Sequence, residues 1–128
     1  MILGIDYGTK RVGIALSDTS ETLAFPREVL QNTHTLVSDI VAIAQKEHVN
    51  IIVLGYSADT KGNDNVIMPE IQNFKKNLEK ETTVPVVFEH EWFSSQEATR
   101  FTGANSMIDA SAAAIILQRF LDRKRASK

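Results

Sequence analysis

Cysteine is absent from this sequence, so disulfides, thiolate metal sites and cysteine nucleophiles are excluded. Lacking a disulfide framework, the chain is expected in a reducing compartment, the cytoplasm. Long apolar runs are also missing: no stretch approaches the about 18 residues that a membrane span needs. The opening MILGIDYGTKRVGIAL has no basic region before its apolar run and carries Asp6, Lys10 and Arg11. It reads as neither a signal peptide nor a membrane anchor. Internal repeats, linkers and low-complexity tracts are absent too. Net charge is only −2 and hydrophobic residues make up 43%, a balance that argues against disorder. The 128 residues are expected to form one domain, 1–128, large enough to bury a core.

The small net charge hides an asymmetry. Residues 119–128 hold Arg119, Arg123, Lys124, Arg125 and Lys128 against Asp122, a balance of +4, while the rest of the chain carries −6. A basic end on an acidic body suits a polyanionic partner. It equally suits the last turn of a helix, where cations meet the negative end of the macrodipole.

Residues 1–6 form a nearly continuous apolar strand ending in an acid, the pattern of a strand covered on both faces. Gly8-Thr9-Lys10 marks a turn and residues 11–17 a second strand, making a hairpin. Leu23 to Leu30 is a third strand; Pro26 puts it at an edge or starts it after the proline. Thr33 is the expected N-cap of a helix through Glu47 with Leu36, Ile40, Ile43 and Ala44 on one face. Residues 50–55 are a buried strand and 56–65 a polar loop. A second helix runs from Val66 to Lys80, with Ile67, Ile71, Phe74 and Leu78 on one face. Pro85 to Glu89 is a fifth strand, Ser94 to Phe101 a short helix, and a final helix runs from Ser106 or Met107 to Lys124. The order β-β-β-α-β-α-β-α implies an α/β fold, a mixed five-stranded sheet flanked by helices. It resembles the order of a ribonuclease-H-like domain.

Three carboxylates stand where this topology gathers ligands. Asp6 lies at the carboxyl end of the first strand, and Glu91 just past the carboxyl end of the fifth. If those strands are parallel neighbours, the two acids meet. Asp109, at the start of the last helix, shares a face with Ala113, Ile116 and Phe120. Buried carboxylates are costly unless paired, hydrogen-bonded or bound to a metal. Oxygen ligands without thiolates suit Mg2+ or Mn2+, and two such ions can drive phosphodiester hydrolysis. Each acid has a plainer use. Asp6 can cap the following turn; Asp109 can close a capping box with Ser106; Glu91 can be a solvated glutamate. Glu89 shares the strand face of Glu91 and is its rival. Lys10 and Arg11 are either phosphate contacts or ordinary turn residues. His90 could carry a proton, and Trp92 and Phe93 could stack on a base or pack locally.

These motifs resemble a family. GIDYGTKRVGIALSD is similar to the opening of the YqgF family, also called RuvX. NIIVLGYSAD, PVVFEHEWFSSQEA and IDASAAAIILQRFLD continue the match in order and spacing over nearly the whole chain. The family comprises Holliday junction resolvases, viewed more recently as nucleases that mature precursor 16S ribosomal RNA. The resemblance implies a ribonuclease-H-like fold and a metal-dependent nuclease site. It places Asp6, Glu91 and Asp109 in the catalytic, metal-holding positions and Lys10 and Arg11 in the basic pair that meets substrate phosphate. It departs at His90-Glu91-Trp92, where the family has Asp-Glu-Arg, and at GYSADTKGNDN, where Asp59, Lys61, Gly62 and Asp64 replace a proline-asparagine segment leading to Asp-Gly. Losing the arginine removes a bidentate phosphate clamp.

The leading expectation is a nuclease on structured RNA or branched DNA. Paired symmetric cuts in a junction require a homodimer; trimming an RNA end requires only a monomer. A second reading is a non-catalytic nucleic-acid-binding module of the same fold. A third takes Asp6-Tyr7-Gly8-Thr9 as the phosphate turn of an actin or sugar-kinase domain, which needs a second domain that 128 residues cannot supply.

Overall fold

The computed structural model describes residues 1–8, 10–57, 68–91 and 108–126. Its elements are β1 (Ile2–Asp6), β2 (Arg11–Ser17), β3 (Ala24–Gln31), α1 (Leu36–Lys46), β4 (Ile51–Ser57), α2 (Met68–Glu81), β5 (Val86–Glu91) and α3 (Ile108–Ala126). β4 continues through Tyr56 and Ser57, expected to open the polar loop, because β5 offers them partners in His90 and Glu91. The rest of that loop, the short helix at 94–101 and the expected first residues of the last helix lie outside the described residues. The strands form one mixed sheet in the order β3-β2-β1-β4-β5. β1, β2 and β3 are antiparallel neighbours, while β4 runs parallel to both β1 and β5. Among the described residues no helix is long and apolar enough to cross a membrane.

The central position of β1 explains its unbroken apolar sequence, because both of its faces are covered. On one face Leu3, Ile5, Ile14, Ile52 and Leu54 pack against Leu36 and Ile40 of α1 and Phe74 and Leu78 of α2. On the other, Ile2, Ala15 and Val53 pack against Ala113, Ile116, Leu117 and Leu121 of α3. Gly4 permits that second contact. A Cβ there would stand 2.8 Å from the Cβ of Leu117 and 3.1 Å from the carbonyl of Ala113.

β3 is an edge strand, as Pro26 requires. Ala15 pairs with Pro26 and Ile14 with Glu28, so the ladder skips Arg27 and bulges where the proline has no N–H to give. α1 begins two residues later than Thr33 as N-cap would have it. Thr35 holds that position, without a side-chain cap. The backbone explains the shift: the Leu36 N–H donates to the Thr33 carbonyl, making a turn ahead of the helix.

Candidate functional site

Asp6 ends β1 and pairs in register with Gly13 of β2 and Gly55 of β4. Ile2 and Gly4 face α3, so strand alternation puts Asp6 on that same face. The direction of α3 follows from its ion pairs. Lys124 Nζ lies 2.9 Å from Glu21, whose other oxygen is 3.5 Å from the Met1 amino group. The carboxyl half of α3 therefore lies at the Met1 end of β1. Ala113 stands over Gly4. Residue 109 is one turn earlier, about 6 Å along the helix, and Asp6 is about 7 Å along the strand from Gly4. The backbones of residues 6 and 109 thus reach the same end of the sheet.

β5 corrects one expectation and leaves unmet the condition that Asp6 and Glu91 stand on neighbouring strands. It extends through Glu91, which pairs with Ser57 and so ends the strand instead of following it. Nor is β5 beside β1: β4 runs between them. Two strand spacings separate the β1 and β5 backbones by about 10 Å. Asp6, Gly55 and Glu89 form one row, and Glu91 lies two residues farther toward the carboxyl edge. The side chains of His90, Glu91 and Asp109 lie outside the described residues, as do Trp92, Phe93 and the segment holding Asp59 to Asp64.

The rival acid has another role. Glu89 is 3% exposed. Arg123 of α3 grips both its oxygens, Nη1 on one at 3.0 Å and Nη2 on the other. A buried carboxylate needs such a partner, and a bidentate guanidinium is the strongest available. This clasp joins β5 to α3, the two elements that carry Glu91 and Asp109. It also reassigns part of the basic end. Arg123 and Lys124 hold acids of the chain itself, and Lys124's hydrogen bond keeps the Glu21 carboxyl below its ordinary range.

Lys10 and Arg11 are exposed beyond the end of β1, Lys10 in the turn and Arg11 opening β2 opposite Gln31. The turn is tight: a Cβ on Gly8 would lie 2.4 Å from the Arg11 carbonyl. Asn32 braces it. Its side-chain amide donates to the Gly8 carbonyl at 2.8 Å and its backbone N–H to the Lys10 carbonyl at 2.9 Å. Sequence reasoning missed Asn32 and Ser17, and read Arg123 only as part of a basic end. Each acts on a residue distant in the chain, and Ser17, whose hydroxyl accepts the Ile2 N–H at 2.8 Å, lies 15 residues from its partner.

Oxygen donors alone would make a hard-cation site. Among the described residues no three His, Asp or Glu side chains could hold a metal. Asp6 is the one member of the proposed trio whose side chain is described, and its carboxylate at the carboxyl edge fits such a donor set.

The sequence model of the RuvX family, described as Holliday junction resolvase, matches residues 1–123. This chain belongs to the RuvX family. It is 37% identical over 130 residues to a protein of Nitratidesulfovibrio vulgaris (strain Miyazaki F) named "Putative pre-16S rRNA nuclease", covering 94% of this chain and 92% of the relative. A Maridesulfovibrio salexigens protein of the same name is 33% identical, with 95% of this chain and 98% of the relative covered. Among solved structures, Thermus thermophilus RuvC in complex with a Holliday junction substrate superposes with a TM-score of 0.64 at 14% identity, covering 98% of this chain and 96% of that one. The fowlpox virus Holliday junction resolvase gives 0.53 at 12% identity, covering 95% and 98%. At such identities the likeness is one of fold, and it is the ribonuclease-H-like fold expected from the element order. RuvX is a nuclease family, so its members are enzymes of phosphodiester hydrolysis.

Proposed function

We propose that this RuvX chain is a divalent-metal-dependent nuclease that matures the 5' end of pre-16S ribosomal RNA in the cytoplasm. The observation that carries this reading is the convergence of β1, β5 and the start of α3 at one end of the sheet, while Glu89 is committed to Arg123. Asp6, Glu91 and Asp109 are the residues proposed to hold Mg2+ or Mn2+. A divalent cation, when bound, polarises phosphoryl oxygens and acidifies an attacking water. The chain's own part is positioning. Asp6 is fixed by ladders on both sides of β1. The braced turn presents Lys10 and Arg11, two exposed cations that would hold a neighbouring phosphate of the strand. His90-Glu91-Trp92 supplies no arginine beside the glutamate, which gives this pair the larger share of phosphate contact.

The test is cleavage of pre-16S RNA ends beside a four-way DNA junction, linear duplex and single strands, with Mg2+, Mn2+ or EDTA. Trimming of the RNA that stops in EDTA and in Asp6→Asn is the expected result. Preferred cutting of the junction, with a dimer in solution, would move the assignment to junction resolution, as the family description has it. Binding without cleavage of any substrate would leave a nucleic-acid-binding module.

A further inference from the structure

On the face of β1 opposite Asp6, the chain shapes a second concave feature. Tyr7 directly follows Asp6. Its ring packs against Phe74 of α2 with centroids 4.8 Å apart and planes at 37°. Its hydroxyl donates to Glu70 at 2.7 Å. Burial, foremost, and this carboxylate raise the phenol above its ordinary pKa, so it stays a neutral donor. Beside it opens a cavity of about 200 Å³, between the amino-terminal part of α2 and the segment leading into α1.

Among the described residues the walls are mostly polar, over a floor of Leu36, Val37 and Phe74, and carry no lysine or arginine. Glu70, Asn73 and Asn77 line it from α2, at spacings of three and four that share one helix face. Asn32, Thr33 and His34 line it from the other side. Among the described residues neither the Asn73 nor the Asn77 side chain makes a hydrogen bond, so both carboxamides keep their donors and acceptor for a ligand. With Glu70 on the wall and no lysine or arginine among the described lining residues, the cavity disfavours phosphate. The volume is below the about 300–1,000 Å³ typical of whole drug-sized ligands. What remains is a flat neutral ring with donors and acceptors on its edge. Carboxamides read such edges in pairs, and aromatic side chains stack on their faces.

We infer that this cavity takes one unpaired nucleobase of the bound strand, held by Asn73 and Asn77 against Tyr7. The inference rests on the nuclease reading. Tyr7 and Asp6 are consecutive at the carboxyl end of β1 but face opposite sides of the sheet, so a strand crossing that edge would place this base within a few nucleotides of the phosphate presented to Asp6. The site would favour frayed or single-stranded ends over continuous duplex, since a stacked base cannot enter it.

The experiment reads binding and leaves cleavage aside. In EDTA, the unmutated protein is titrated against a fluorescent single-stranded RNA and against a set carrying one abasic nucleotide at each successive position; DNA of the same sequence forms a second arm. Loss of a stacked base is expected to weaken binding roughly 5- to 30-fold at one position. Asn73→Ala and Asn77→Ala should weaken the intact RNA by a comparable factor, yet leave the RNA abasic at that position unchanged. Both positions are exposed on a helix, where alanine favours the fold. Equal losses at every abasic position, or losses that add to those of the variants, overturn the base pocket while leaving the nuclease reading intact. No binding to any strand, together with no cleavage, overturns both.

Discussion

Arg123→Met tests whether the clasp between α3 and β5 is a buried interaction. The change keeps most of the aliphatic stem and deletes the guanidinium. It leaves Glu89, 3% exposed, without the partner that holds both its oxygens. Breaking a fully buried pair from one side costs about 3–5 kcal/mol. Here the arginine is 61% exposed, so water can enter where the guanidinium stood and the loss should be smaller. About 2 kcal/mol is the expectation, which for a domain of this size lowers Tm by roughly 6–10 °C. Urea and thermal unfolding at pH 7 measure it. Glu89→Gln, which keeps the shape and an acceptor, should lose less. The double variant Glu89→Met with Arg123→Met removes both charges and should recover most of the loss, because a buried pair is worth little against apolar replacements. A change below about 0.5 kcal/mol in Arg123→Met would place the pair among ordinary surface ion pairs and refute the reasoning. So would a double variant whose loss is the sum of the single losses.

Gly4→Ala pushes a methyl group into Leu117 and the Ala113 carbonyl. It should destabilise by about 1–3 kcal/mol, and combining it with Leu117→Ala should give less than the additive loss in a double-mutant cycle. Asn32→Ala removes the brace on the Gly8 carbonyl. We expect about 1 kcal/mol of lost stability, faster hydrogen exchange in the 10–13 segment and weaker nucleic-acid binding, because the turn presenting Lys10 and Arg11 loosens. The Asp18 carboxyl is lowered to about 2, chiefly by the Thr22 N–H and further by the Leu23 N–H and the hydroxyls of Ser20 and Thr22. Its folded pKa lies below its unfolded one, so its contribution is present above about pH 4 and fades as pH falls toward 2. Asp18→Asn should therefore be less stable than the parent at pH 7, with the gap closing between pH 4 and 2; a gap independent of pH would refute this.

Much of the architecture was legible in local pattern. The apolar run of β1 announced a strand covered on both faces. The spacing of Leu36, Ile40 and Ile43 gave one face of α1, and Pro26 marked an edge. The errors came where a local signal met a nonlocal one. Thr33 has the chemistry of an N-cap, but its carbonyl takes part in a turn before α1. Val86–Glu91 continues past the expected end of β5 because β4 offers it partners as far as Ser57. Asp6 and Lys10 were visible as candidates because turns and strand ends are written in adjacent residues. Asn32 was not, since nothing beside it in the chain reveals that it holds Gly8.

The sequence by itself determined the element order, the family and the acidic residues worth considering. Strand pattern alone left Glu89 and Glu91 as rivals, since they share a strand face two positions apart, and only the family resemblance favoured Glu91. Tertiary structure decided what Glu89 does, by bringing Arg123, 34 residues away, against both its oxygens. It also inserted β4 between the strands of Asp6 and Glu91. Periodicity reports which face of an element is apolar, because that is a property of neighbours in the chain. Which strand lies next to which, and which charge is buried beside which, depends on how those faces pack against one another.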